Sequence, residues 1–375
     1  MVLQITHKEM KSIIREYFKS KIALYISGRF GIGKSSGYKA EAKKIAEDRN
    51  RTHVEWNDLS EENKLKLFDN PKKWFVVFDI RLSEYSPDDI KGLPMFLSNQ
   101  RAIDYKIPLW ALYMELEDSE GILCFDEINL SVPLVMSSVY KIVYDRVVNQ
   151  SKISGGWFIL MCGNTAEDRA YTYDIPPPLF DRCGQVELGV PNLEDWVEWA
   201  IENKIDPRII GFINFKPSSL WAVNYEDSQK FTTPRGWERL NTLVKDFKNV
   251  DETFELLCCS SIGEGIARDF IAFCKIQEKF KLEDLIKDPQ KIKGINDISV
   301  KYFLSCAVAE KYGNKIIDFK KVMEISHVFD EIKNAEFVTL LWKLSNTYSK
   351  DFPTNFYECK GEDNKLVEKY GEYII

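Results

Sequence analysis

The feature that most restricts the fold of this chain is a glycine-rich segment between an apolar run and a helical pattern. Residues 28–36 read GRFGIGKSS, which matches G-x-x-x-x-G-K-[ST], and the preceding KIALYIS (21–27) is typical of a buried strand. Glycines in such a turn let backbone N–H groups approach phosphate oxygens at a helix N-terminus. A glycine-rich turn that matches by chance is the alternative. The residues predicted to bind phosphate and nucleotide are Gly28, Gly31, Ile32, Gly33, Lys34, Ser35 and Ser36.

Four further apolar runs follow in the first half of the chain, and helical patterns separate them. Several runs are continuously apolar, as expected for strands covered on both faces by helices. Alternating buried strands and helices are typical of an α/β fold with a mostly parallel sheet. The chain up to residue 190 is therefore predicted to form an αβα core around the phosphate-binding loop (P-loop). The four runs are WFVVFDI (74–80), GILCFDE (121–127), GGWFILMCGN (155–164) and GQVELGV (184–190).

Beyond Pro191 the strand pattern fades and helical patterns replace it. We therefore predict an all-helical second half, divided into a lid (191–275) and a C-terminal extension (276–375) that follow the core (1–190). The first residues, MVLQITHKEMKSIIREYF, are predicted to form a helix, because Thr6 and Glu9 have the spacing of a capping box.

Composition restricts the class of partner and the compartment. The formal net charge of −7 argues against broad binding to nucleic acid or to an anionic membrane surface. No apolar run reaches the roughly 18 residues that span a bilayer, and the N-terminus has no signal-peptide pattern. The eight cysteines form no C-x-x-C pair, and none of the three histidines is near one, so a zinc site is not expected. These features favour a reduced, cytoplasmic protein.

Two acidic residues end the strand predicted at GILCFDE. In enzymes with a P-loop, an aspartate at such a strand end holds Mg²⁺, which assigns Asp126 and the Ser35 hydroxyl to the metal. Glu127 would then activate the attacking water as a general base. The alternative is a strand end with two solvated carboxylates. Together with the P-loop, the pair predicts an ATP hydrolase that uses ATP and Mg²⁺.

Six segments occur in an order that resembles the AAA+ ATPases and, more narrowly, their MoxR-like group, especially its shorter bacterial and phage members. The resemblance covers about residues 15–275. It implies an AAA+ module with a helical lid, an oligomeric ring of six subunits, and a protein client with a von Willebrand factor A-type domain. The segments are DDIKGLP (88–94), DEIN (126–129), GGWFILMCGNTAEDRA (155–170), PPPLFDRC (176–183), PNLEDWVEWA (191–200) and TPRGW (233–237).

The resemblance also implies roles for three residues. Asn164 would be sensor 1, which helps to place the lytic water, and Arg235 would be sensor 2, at the start of a helix capped by Thr233. Arg182, 18 positions after Asn164, would be an arginine finger that acts on the ATP site of a neighbouring subunit. The alternative for Asn164 is an asparagine that starts a turn, and the alternative for Arg235 is a solvated or salt-bridged helix arginine.

Arg182 has a structural alternative as well, an ion pair with Asp181 or Glu187. Arg169 and Arg146, each beside an aspartate, are rival candidates for the contact between subunits.

Two features depart from the group or leave its function open. Arg29 and Phe30 stand in the P-loop where the group usually has prolines. A partner surface is considered at Pro94, Phe96, Pro108, Leu109 and Trp110, against ordinary loop packing. A nucleic-acid motor or loader and a non-catalytic, ATP-dependent scaffold are alternative functions on the same fold. Basic clusters such as Lys8, Lys11 and Arg15 are interpreted as solvated helix faces rather than a nucleic-acid track.

Overall fold

The computed structural model describes residues 2–96, 103–165, 172–223 and 231–374. The chain divides into two compact units, Met1–Pro191 and Asn192–Ile375. Each unit has its own hydrophobic core.

The first unit is built on a parallel sheet and two antiparallel hairpins. Its strands are β1 (Leu3–Ile5), β2 (Ala23–Gly28), β3 (Thr52–Glu55), β4 (Trp74–Arg81), β5 (Leu93–Phe96), β6 (Ile103–Lys106), β7 (Glu120–Asp126), β8 (Val147–Val148), β9 (Ser151–Lys152), β10 (Trp157–Asn164) and β11 (Cys183–Leu188). Seven of them form the sheet, in the order β1-β11-β2-β10-β7-β4-β3, and every pair in it is parallel. The pairs β5–β6 and β8–β9 are the hairpins.

Helices connect these strands, as parallel pairing requires. They are α1 (His7–Ser20), α2 (Lys34–Asp48), α3 (Glu61–Asp69), α4 (Pro87–Lys91), α5 (Leu109–Glu115), α6 (Pro133–Asp145) and α7 (Pro177–Phe180).

Helices cover both faces of the sheet. Every residue of the interior strand β7 is buried. On one face, Phe18 of α1 packs against Phe75 of β4, with ring centroids 5.6 Å apart. On the other, Trp110 of α5 lies 6.3 Å from Phe78, three positions further along β4. The α/β architecture predicted from the apolar runs is confirmed.

The five apolar runs of the sequence correspond to β2, β4, β7, β10 and β11. The edge strands β1 and β3 were not predicted, and β1 occupies residues predicted to be helical. Both are short, and β1 buries only one of its three residues, so neither carries a hydrophobic pattern strong enough to identify it. The capping box formed by Thr6 and Glu9 is present, and α1 begins at His7, directly after the N-cap Thr6.

In the part of the second unit that the structure describes, the regular elements are helices, apart from an isolated β-bridge between Ala222 and Thr232. Its helices are α8 (Leu193–Glu202), α9 (Pro207–Phe215), α10 (Pro234–Val244), α11 (Glu252–Ser261), α12 (Glu264–Glu278), α13 (Leu282–Lys287), α14 (Ile298–Gly313), α15 (Phe319–Glu331), α16 (Ala335–Tyr348) and α17 (Glu362–Tyr370).

One hydrophobic core runs through the second unit. Trp237 and Phe270, from the segment predicted to be a lid, share it with Val300 and Trp342, from the segment predicted to be an extension. The division of this half into a lid and an extension stays a prediction. Among the described residues, no helix combines the length and the apolar character needed to cross a membrane.

Candidate active site

The P-loop lies between β2 and α2. Gly31 and Gly33 have φ values of 71° and 97°, a backbone region that favours glycine, and Gly33 is the N-cap of α2. A Cβ on Gly28 would come within 2.8 Å of the Leu188 carbonyl oxygen on β11. The sequence folds into this loop because each of these positions carries glycine.

Lys34 is the first residue of α2, and its side chain returns over the loop. The ammonium group donates to the backbone carbonyls of Gly28 at 2.6 Å and Arg29 at 2.9 Å, and to Asn164 Oδ1 at 3.1 Å. Only 8% of Lys34 is exposed. A cation held in place beside a turn rich in backbone N–H groups suits the binding of a polyphosphate.

Ser35 and Asp126 meet where β7 ends. The Ser35 hydroxyl donates to Asp126 Oδ2 at 2.8 Å, and Asp126 is 8% exposed. A hydroxyl and a carboxylate side by side are the hard oxygen ligands that Mg²⁺ prefers. The two residues therefore fit the metal site that the sequence predicts, and they would hold Mg²⁺ next to the phosphate loop.

Glu127 follows Asp126 in a left-handed backbone conformation, with φ 53°. Its backbone N–H donates to Asp126 Oδ1 at 2.9 Å, and its Oε2 accepts a hydrogen bond from the Ser83 hydroxyl at 3.2 Å. Ser83 lies just after β4, and sequence reasoning did not identify it. Positive φ is uncommon for a residue other than glycine and turns the side chain out of the strand direction.

Asn164 ends β10, the strand between β2 and β7. Because the carboxyl ends of neighbouring parallel strands meet at one edge, its side chain reaches Lys34. Two contacts, one to Asn164 and one to the P-loop, were not predicted from the sequence. Asn129 binds the backbone of Asn164, and His7 Nε2 lies 2.7 Å from the carbonyl oxygen of Ile32 in the P-loop. Asn129 is the last residue of the DEIN segment, but the segment assigned it no role, and His7 belongs to no motif that would have identified it.

Arg182 follows α7 and is partly exposed. Its guanidinium donates to the Pro178 carbonyl at 3.1 Å and lies 5.0 Å from the centre of the Tyr144 ring. Within the described part of the chain it forms no ion pair, so the alternative pairing with Asp181 or Glu187 is not observed. The cation is held by a carbonyl and an aromatic face, and its charge is not neutralised by a carboxylate.

Arg146 lies in different surroundings. It donates to the carbonyls of Ser154 and Trp157, at 2.9 and 2.8 Å. Trp157 starts β10, so these bonds lie at the amino end of the strand, whereas the P-loop contacts its carboxyl end. Burial lowers the pKa of the Arg146 guanidinium. Arg169, the other rival, lies outside the described residues.

Arg235 belongs to the second unit, in the first turn of α10. Thr233 caps this helix by accepting a hydrogen bond from the Gly236 N–H at 3.1 Å, and Pro234 is its first residue. The Arg235 side chain is exposed. The neighbouring Trp237 is fully buried and anchors the helix through a 2.9 Å bond to the Ser219 carbonyl.

The segment considered as a partner surface is only partly exposed. Phe96, on the β5–β6 hairpin, is 78% exposed, whereas Trp110 on α5 is 8% exposed and packs in the core. Trp110 is therefore a core residue and does not form a surface for a partner.

No protein-family model matches this chain, and no curated protein sequence matches it significantly. Three similar solved structures are those of PCH-2 from C. elegans, ORC2 from Aeropyrum pernix, and NtrX from Brucella abortus in complex with ATP. Sequence identities are 13%, 13% and 12%, and TM-scores are 0.30, 0.29 and 0.37. The matches cover 80%, 98% and 89% of this chain and 67%, 84% and 69% of those chains. Likeness at this level carries no information on function.

Proposed function

We propose that this protein is an ATP hydrolase of the AAA+ class and of its MoxR-like group. The observation that carries the proposal is the meeting of three separate segments at one edge of the sheet. Lys34 donates to Asn164, Ser35 donates to Asp126, and Glu127 lies beside Asp126. These are the residue types that in-line phosphoryl transfer to water requires.

The chemistry assigned to each residue follows from its position. Lys34 would bind the β- and γ-phosphates, and Mg²⁺ on Ser35 and Asp126 would neutralise charge on the phosphate oxygens. Glu127 would orient the attacking water and accept its proton. Asn164 would hold that water in line with the γ-phosphate.

Arg182 is proposed to complete the site of a neighbouring subunit. Two observations support this role. The guanidinium forms no ion pair among the described residues, and it contacts the Pro178 carbonyl and the face of the Tyr144 ring. Arginine suits this task because its planar donor fork matches phosphate oxygens. Arg235 is proposed to contact the γ-phosphate from the lid of its own subunit. The role of Arg182 implies an assembled oligomer, and a ring of six subunits is what the resemblance implies.

The client is proposed to be a protein with a von Willebrand factor A-type domain. This part rests on the ordered segments that resemble the MoxR-like group. The cytoplasm is the proposed compartment, in line with eight cysteines that are all free in the structure.

The decisive experiment mixes two inactive variants. Arg182→Ala keeps its own P-loop and Lys34→Ala keeps its finger, so each should lose about 10³-fold or more in ATP turnover. Their mixture should recover activity, because some interfaces then combine an intact P-loop with an intact finger. ATP hydrolysis is measured for each variant and for the mixture over a range of protein concentrations.

Glu127→Gln is the matched control, since it should bind ATP and fail to hydrolyse it. Wild-type protein that turns over no ATP at any concentration would refute the proposed function. Arg182→Ala with full turnover would refute the finger alone. Stimulation of hydrolysis by DNA would instead favour a nucleic-acid motor.

A further inference from the structure

Asn129 makes two hydrogen bonds with the backbone of one other residue. Its Nδ2 donates to the carbonyl oxygen of Asn164 at 2.7 Å, and its Oδ1 accepts from the N–H of Asn164 at 3.0 Å. One donor faces one acceptor on each side, so only one orientation of the amide satisfies both bonds. Asn129 is 6% exposed, and water therefore has little access to replace these bonds.

These two bonds lie at the end of β10, where the pairing with β7 has stopped. β7 pairs with β10 as far as Phe125 and Met161, whereas β2 pairs with β10 up to Asn164. At Asn164 the strand therefore has a neighbouring strand on one side only. The amide of Asn129 has the donor and acceptor of a peptide group and binds Asn164 just past the point where β7 has ended.

The residue before Asn164 leaves room for this arrangement. A Cβ on Gly163 would come within 2.9 Å of Asn129 Oδ1 and 2.4 Å of the Tyr25 hydroxyl. Any larger residue at position 163 would displace one of these groups. The contact between Asn129 and the end of β10 thus depends on a glycine inside a buried strand.

The backbone that Asn129 holds carries a side chain of the proposed active site. Asn164 Oδ1 accepts from Lys34 Nζ at 3.1 Å. Fixing the N–H and C=O of Asn164 fixes the direction of its Cα–Cβ bond, and from there its amide reaches Lys34. The carbonyl of Asn129 additionally accepts from the N–H of Tyr173 at 2.7 Å, in the segment that leads to Arg182.

We propose that Asn129 is a positioning residue for ATP hydrolysis, acting through the backbone of Asn164. The inference rests on the proposed function. Without the Asn129 amide, the end of β10 loses its second hydrogen-bonding partner, and Asn164 moves away from the place where it orients water. Asn129 itself contacts neither phosphate nor the attacking water.

The test is a double-mutant cycle. Asn129→Ala is made in the wild-type protein and in an Asn164→Ala background. In the wild-type background kcat should fall about 10- to 100-fold, the loss typical of a misplaced active-site group, while the Kd for ATP stays within about 3-fold. In the Asn164→Ala background the same substitution should change kcat by less than about 2-fold, because the side chain that Asn129 positions is already absent.

Asn129→Asp is the second variant, because it keeps the size and one acceptor but loses the donor to the Asn164 carbonyl. It should lower kcat as Asn129→Ala does, and it replaces Asn129→Ala in the test if the alanine variant fails to fold. The matched control is Asn214→Ala, which removes a buried asparagine bonded to the Ile210 carbonyl in the second unit. This control should lower the melting temperature and show no dependence on Asn164.

Equal losses of kcat in both backgrounds would overturn the inference, since Asn129 would then act independently of Asn164. A wild-type kcat in Asn129→Ala and Asn129→Asp would overturn it as well. Both results leave the proposed function intact. Wild-type protein that hydrolyses no ATP overturns the proposed function and this inference together.

Discussion

At the scale of single residues, the clearest contrast lies between two arginines of the first unit. Arg146 gives its hydrogen bonds to two backbone carbonyls near the start of β10. Arg182 donates to one carbonyl and lies over the face of Tyr144. The contacts of Arg146 therefore stabilise the fold, whereas Arg182 is the arginine proposed to act on a neighbouring subunit.

Arg146→Met should therefore destabilise the protein by about 1–3 kcal/mol, because the carbonyls of Ser154 and Trp157 lose a charged donor. Arg182→Met should cost less than about 1 kcal/mol, since its contacts are partly solvated. Thermal melting of the two variants measures the difference. A larger loss in Arg182→Met than in Arg146→Met would contradict these assignments.

Lys21 links stability to pH. Its ammonium donates to the Gly156 carbonyl at 2.9 Å and lies 3.4 Å from the centre of the Phe18 ring. Burial lowers the pKa of Lys21 to about 7. The unfolded chain keeps this proton up to pH of about 10.4. Between these values the unfolded state binds more protons than the folded state, so stability rises with pH.

The predicted slope is below about 1.4 kcal/mol per pH unit, the limit for one proton, because Lys21 is partly exposed. The measurement is the urea midpoint at pH 7 and pH 8.5, in wild type and in Lys21→Met. Buried thiols such as Cys183, whose pKa burial raises to about 11, oppose the trend once the unfolded thiols ionise near pH of about 8.5. Both proteins carry these thiols, so the difference between their slopes isolates Lys21. The same slope in both proteins would rule out Lys21 as its source.

At the scale of elements, the start of α1 is tied to the P-loop. The capping box at Thr6 and Glu9 sets where the helix begins, and His7, its first residue, contacts the Ile32 carbonyl. A helix that frays at this end would release a contact that supports the loop. Helix capping at Thr6 is thus connected to the P-loop through His7.

Thr6→Ala should cost about 1 kcal/mol of stability and should also weaken ATP binding. Ser60→Ala is the matched control, because Ser60 caps α3 through the Asn63 N–H and has no contact with the P-loop among the described residues. It should cost a similar amount and leave ATP binding unchanged. Melting temperatures and titration with a fluorescent ATP analogue test the pair. Equal affinities in both variants would show that the start of α1 does not support the loop.

At the scale of the whole molecule, each of the two units has its own hydrophobic core. The core cluster of the first unit draws on residues between Ala23 and Leu179, and that of the second on residues between Trp196 and Tyr370. In the second unit α9 packs against α14, which lies beyond the predicted lid. The helices after residue 278 are therefore part of the same core and not a detachable appendage.

A chain of residues 192–375 should fold by itself and unfold cooperatively, because its buried side chains pack against one another. A chain of residues 192–278 should not, since it lacks Val300, Leu304 and Trp342, which belong to the same core. Thermal denaturation followed by circular dichroism compares the two. Cooperative unfolding of the shorter chain would show that the lid is independent of the extension.

Much of the site could be predicted from sequence, because its chemistry is local. The glycines at 28, 31 and 33, Lys34 and Ser35 lie in one run of nine residues that is recognisable without any tertiary contact. Asp126, Glu127 and Asn164 each follow a continuously apolar strand, and the carboxyl ends of parallel strands share an edge. The central strands were predictable for the same reason, since full burial leaves an uninterrupted apolar run.

Other features depend on contacts between distant residues. Ser83 lies 44 positions from Glu127 and Asn129 lies 35 positions from Asn164, and neither pair has a spacing that sequence could reveal. The placement of β10 between β2 and β7 also comes only from the fold. By itself the sequence determined the loop, the acidic strand end and the class of fold, because short-range patterns encode them. The tertiary structure alone decided which side chains hold those groups in place, because a hydrogen bond depends on where the chain returns in space.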